Sequence, residues 1–178
     1  KEDFCRNTRT LRPGDTLPRE ELNTMLLDAG YVRRDRVEGP GQFSIRGDIL
    51  DLYTPEMKSP VRVEFWGDEI DTMNSFDLST QRRDEPVEKI YLSPAREVLF
   101  GATAQAAEAL RAYWKRQRGK KRAAMEQVMA PDLAQLDAGI LPVSMDKYLN
   151  VRYPQPATLL DYFEDPLLCV EEPASVRE

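Results

Sequence analysis

The chain contains no histidine, and its two cysteines are Cys5 and Cys169. Imidazole is the commonest general base, so no Ser–His or Cys–His pair can form within these 178 residues. Two distant cysteines without companions at metal spacing exclude a zinc site and read as free thiols. No apolar run approaches the ~20 residues that cross a bilayer. No basic segment followed by an apolar stretch marks a secretion signal, so the expected location is the cytoplasm. The phosphate-cradling pattern GxxxxGK[ST] is missing, and with it the expectation of ATP hydrolysis by this segment. Nothing in the sequence implies a cofactor. The 25 Lys and Arg are outnumbered by 31 Asp and Glu, so overall attraction to nucleic acid is not expected. The chain begins at Lys1 rather than methionine, and we read it as a piece of a longer protein.

What is present is a set of two-faced strands. Within Gly41–Tyr53, Phe43 and Ile45 fall on one face, and Ser44 and Arg46 on the other. Within Pro60–Ile70, Val61, Val63 and Phe65 alternate with Arg62, Glu64 and Trp66. Period two buries one face of a strand and shows the other. The shown face carries arginine and tryptophan, the residues most enriched at interface hot spots. That composition points to a surface that holds a partner. Gly67-Asp68 reads as a type II′ hairpin turn, and the return strand Glu69–Phe76 breaks strict alternation, which predicts a bulge. Arg46-Gly47-Asp48 is read as lying inside a strand, with Gly47 marking a bulge or a close approach. Asp48 and Asp51 have opposite parity and cannot form a catalytic pair; Glu171 and Glu172 fail the same test.

Around these segments, Cys5–Leu11 reads as a lead-in strand. Pro18–Ala29 reads as a helix, with Leu22, Met25, Leu26 and Ala29 in one stripe and Gly30 as its stop. Tyr31–Val37 and Val87–Leu92 read as further strands. After Pro94 the composition shifts to helix formers, from Ala102 to about Met129, with Gly119 dividing the helix and Pro131 starting another. Trp114–Arg122 is the basic cluster; Lys115, Arg116, Lys120, Lys121 and Arg122 are its candidate nucleic-acid contacts. Leu167–Val170 reads as a buried strand.

The runs Phe43-Ser-Ile-Arg-Gly-Asp-Ile-Leu-Asp-Leu52 and Val61-Arg-Val-Glu-Phe-Trp-Gly-Asp-Glu-Ile70 resemble the second domain of the excision-repair protein UvrB. The same domain recurs in the transcription-repair coupling factors of the Mfd family. Ala157-Thr-Leu-Leu-Asp-Tyr-Phe163 is similar to both. Phe76-Asp-x-x-Thr80-Gln81-Arg82 and Tyr153-Pro-Gln-Pro156 look more like the coupling factors. So does Glu171-Glu172-Pro173, where UvrB carries an intact Walker B acid motif ending in histidine. The resemblance implies an α/β chain: a small mixed sheet with a helix over residues 1–95, then an incomplete, degenerate helicase-like part over 96–178. It implies recruitment of UvrA, with no chemistry in this segment. The parent would be an ATP-dependent DNA translocase that meets RNA polymerase and DNA through other domains. The partner-binding positions it implies are Arg46, Arg62, Glu64 and an aromatic at Phe65 or Trp66. Strand parity favours Trp66, since Phe65 should face the core. UvrB has a further arginine where this chain has Ser44. The competing reading is a DNA-binding piece of a UvrB-type helicase acting through Lys115–Arg122.

Overall fold

The computed structural model describes residues 1–167 and 169. It is a mixed α/β chain. Six strands form one sheet in the order β2-β3-β4-β5-β6-β7: β2 (Val32–Arg33), β3 (Gln42–Arg46), β4 (Ile49–Tyr53), β5 (Val61–Trp66), β6 (Glu69–Phe76) and β7 (Arg83–Pro86). The β2–β3 pair is parallel and the rest are antiparallel. A separate two-stranded ribbon pairs β1 (Arg9–Leu11) with β8 (Ile90–Leu92).

The helix α2 (Arg19–Asp28) covers the apolar face of the sheet with Leu22 and Leu26. It ends as its sequence dictates. Gly30 takes φ +84, its N–H donates to Leu27 O, and the Tyr31 N–H donates to Leu26 O. That is the Schellman arrangement. A Cβ on Gly30 would also stand 3.2 Å from Arg96 and Leu99, so this glycine serves both the turn and the packing behind it. Phe43, Leu50, Leu52, Val61, Val63 and Ile70 fill the core beneath α2, each burial contributing about 1.5–3 kcal/mol. The phenol of Tyr31 donates to Ser93 O at 2.8 Å, and burial pushes its pKa far above the ordinary value, with the Glu56 charge adding to the rise.

A second hydrophobic cluster lies further along the chain. Val98, Phe100, Ala106, Leu110, Met129, Leu136 and Tyr148 pack α3 (Thr103–Arg116) against α4 (Gly119–Asp137) and α5 (Leu149–Arg152).

Several elements differ from the expectations. The lead-in is a five-residue helix, α1 (Glu2–Arg6), followed by β1. Its acids sit in the first turn and Arg6 in the last, which suits the helix dipole. None of its residues is buried, so no apolar face demanded a strand. Arg152 on α5 donates to Asp3 at 2.5 Å, tying this helix to the second cluster. The Tyr31–Val37 strand shrinks to Val32–Arg33, the Val87–Leu92 strand shrinks to β8 (Ile90–Leu92), and β7 (Arg83–Pro86) is an additional strand before it. Pro131 lies inside α4 instead of starting a helix. The interior proline costs ~3 kcal/mol or more, which burial of Met129 and Leu136 on either side helps to offset. Of the expected strand Leu167–Val170, Leu167 is exposed, while Leu168 and Val170 lie outside the described residues. Glu171, Glu172 and Pro173 lie outside them as well.

Candidate partner-binding site

Gly41–Tyr53 is a hairpin rather than one strand. Arg46 pairs with Ile49, and Gly47-Asp48 forms the two-residue turn. Gly47 has φ +60, while Asp48 keeps negative φ, the pattern of a type II′ turn. Gly67-Asp68 makes the same turn between β5 and β6, with Gly67 at φ +64. The predicted bulge is present: Glu64 faces Thr72 and Phe65 faces Ile70, leaving Asp71 as the extra residue. Asp48 and Asp51 are separated because Asp48 sits in the turn, paired with Arg19 from α2, while Asp51 sits in β4.

The register then lines up the outer face of the sheet. One row reads Ser44–Asp51–Arg62–Asn74 and the next Arg46–Ile49–Glu64–Thr72. Asp51 is 1% exposed and accepts from two arginines. Arg62 grips it with two donors, Nε to Oδ1 at 2.6 Å and Nη2 to Oδ2 at 2.9 Å. Arg46 adds Nη2 to Oδ2 at 2.6 Å. Asp51 is the residue that sequence reasoning missed. Strand parity places it on this face, but only the cross-strand register puts it between the arginines. The hydrogen bond to Asp51 pushes the Arg62 pKa further above its ordinary value, aided by the charges of Asp51 and Glu64 and opposed by burial.

The predicted site residues separate by availability. Arg62 has a side chain only 14% exposed, with the Phe76 ring 4.8 Å from its guanidinium carbon. Arg46 is 52% exposed. Glu64 is half-buried, pairs with Arg83 on β7 and accepts from Thr72 Oγ1 at 3.2 Å. Phe65 is buried in the core, and Trp66 stands 84% exposed at the end of β5. Ser44 is buried and donates to Asp35 O at 2.9 Å, so it faces a loop of its own chain.

Two loops edge this face. Arg36 reaches across to Leu78 O at 2.5 Å. In the second loop Asp77 accepts from the backbone and hydroxyl groups of Ser79 and Thr80, which hold its carboxyl down to about 2. The loop closes on Gln81, whose φ is +60 and whose carbonyl accepts from Arg62 at 3.4 Å.

The sequence has counterparts among known proteins. Residues 10–98 match the model of the UvrB interaction domain, which covers the whole six-stranded sheet. The chain belongs to the UvrB interaction domain family. Beyond this domain, similarity extends over most of the chain. The transcription-repair-coupling factor of Bacillus subtilis (strain 168) is 32% identical over 176 residues, 94% of this chain and 15% of that protein. That of Escherichia coli (strain K12) is 34% identical over 156 residues, 86% of this chain and 13% of that protein. That of Myxococcus xanthus is 41% identical over 87 residues, 49% of this chain and 7% of that protein. The chain thus spans a small fraction of the length of the relatives it matches. A UvrB interaction domain is a protein-interaction module, and the outer sheet face here offers an exposed indole and a half-free guanidinium. No helix among the described residues is long and apolar enough to cross a membrane.

Proposed function

We propose that this UvrB interaction domain recruits UvrA through the outer face of its sheet, within a cytoplasmic protein that couples transcription to excision repair. The observation that carries the reading is Trp66, a large indole 84% exposed on the same strand face as Arg62 and Glu64. An aromatic at the rim of a charged, preorganised face is the composition of an interface hot spot. Arg46 supplies charge-assisted hydrogen bonds to carboxylates of UvrA. Arg62 holds Asp51, and through it Arg46, in the binding geometry, while Glu64 fixes Arg83 at the far side. Phe65 faces the core and anchors β5 beneath that face. This segment does no chemistry of its own. Residues 1–95 form the recruiting unit, and 96–178 belong to a degenerate helicase-like part in which Glu171 and Glu172 are the relic of a Walker B pair. The translocase activity and the meeting with RNA polymerase belong to other parts of the parent protein.

Titration calorimetry of the chain with purified UvrA tests this. Arg46→Glu combined with Trp66→Ala is expected to abolish detectable binding. Trp66→Ala by itself removes an exposed side chain, so its stability should stay within about 0.5 kcal/mol of the parent. Unchanged affinity in the double variant would refute the assignment.

A further inference from the structure

Six cations crowd the turn that joins α3 to α4: Lys115, Arg116, Arg118, Lys120, Lys121 and Arg122. All are exposed, in a chain whose net charge is −6. Among the described residues, none of the six makes an ion pair. Their placement also opposes local helix physics. Lys120, Lys121 and Arg122 occupy the first turn of α4, which holds no acidic residue. Cations there face the positive end of the helix dipole, which disfavours each of them. A bound polyanion would offset that conflict.

The turn is also held in shape. The Arg122 guanidinium lies 4.4 Å from the centre of the Trp114 ring, and Trp114 Nε1 donates to Arg122 O at 3.3 Å. This stacking has two consequences. The cations are displayed from a pinned hairpin of helices, and the one tryptophan nearby is already covered. The Trp114 ring is therefore not on offer as a platform for unstacked bases. Between Lys115 and Arg122 no large apolar side chain is exposed to enter a bilayer. What the turn can grip is phosphate, without reading bases.

We propose that the α3–α4 turn is a sequence-independent docking surface for the phosphate backbone of duplex DNA. The proposal is independent of the UvrA reading and uses a different part of the chain. Fluorescence anisotropy with labelled mixed-sequence duplexes tests it. Binding should be alike for unrelated sequences. If four to six phosphates are contacted, log affinity should fall against log salt with a slope of about −3.6 to −5.4. Lys120→Glu with Lys121→Glu should weaken binding more than tenfold and reduce the slope magnitude by about 2. Those glutamates stand at a helix N-terminus, where they favour the helix, and UvrA binding in the same variant should be unchanged. No binding at ~50 mM salt, insensitivity to the charge reversal, preference for single strands, or equal affinity for anionic phospholipid vesicles would each overturn the proposal.

Discussion

Replacing Asp51 by asparagine keeps the side chain's shape and removes its charge. In the native protein this buried carboxylate accepts three hydrogen bonds from Arg46 and Arg62. Removing one partner of a buried ion pair costs about 3–5 kcal/mol, because the other charge is left uncompensated. Two features place this variant at the lower end. Arg46 is half-exposed and can turn to water, where ion pairs are worth about 0–1 kcal/mol. The amide oxygen of asparagine still accepts one bond from Arg62. The expected loss is therefore about 3 kcal/mol. With a urea slope of about 1–3 kcal/mol/M, the unfolding midpoint should fall by about 1–3 M. The slope itself should not change, since the core beneath is untouched. UvrA affinity should fall with stability, because Arg46 loses the anchor that orients it. Replacing Asp51 and Arg62 together by leucine and methionine should recover part of the stability but none of the affinity, since apolar pairs of similar volume substitute for buried ion pairs. A midpoint unchanged in Asp51→Asn would refute the reasoning, for the carboxylate would then hold nothing.

The Asp77 loop should respond to acid. Its folded pKa lies below the unfolded one, so its hydrogen bonds stabilise the loop fully above the ordinary value of 3.8 and lose that effect as the pH falls to about 2. The Ser79 and Thr80 amide resonances should shift across that window and stay fixed above it; fixed resonances down to pH 2 would exclude the capping role. Gly47→Ala places a Cβ in open space at φ +60, so strain alone should cost about 1–2 kcal/mol in the same urea titration. A neutral result would mean that the hairpin turn relaxes to another form.

The sequence made some of this face readable and hid the rest for physical reasons. Val61–Trp66 alternates cleanly, so the burial of Val61, Val63 and Phe65 and the exposure of Trp66 followed from parity. The bulge in β6 was legible because Ile70, Met73 and Phe76 cannot share one face without an inserted residue. The hairpin at Gly47-Asp48 was not read, although Gly67-Asp68 is the same dipeptide. Flanking residues of strand character on both sides let the segment pass for one long strand. Asp51 escaped for a deeper reason. Parity orders residues within a strand, but the pairing of Asp51 with Ser44 and Arg62 depends on where two turns set the register. The proline inside α4 shows tertiary packing overriding local pattern, whereas α1 follows its own end charges with none of its residues buried. Glu171 and Glu172, read as a Walker relic, lie outside the described residues.

Two arginines on one face invite the view that both meet the partner equally, and the hydrogen bonds argue otherwise. A guanidinium has five N–H donors. Arg62 commits Nε and Nη2 to Asp51 and turns Nη1 toward Gln81. Its side chain is nearly buried, with Phe76 beneath it. Arg46 commits only Nη2, and most of its fork remains in solvent. Glu64 is likewise taken up by Arg83 and Thr72. The locked charges fix Arg46 before any partner arrives. Ordering a long side chain at an interface costs about 0.5–1.5 kcal/mol, and here much of that ordering belongs to folding. Under the proposed UvrA reading, the buried Asp51–Arg62 pair would act on recognition through geometry, while contact would fall to Arg46 and Trp66. On that reading, replacing Arg62 should report on the scaffold, and replacing Arg46 on the contact.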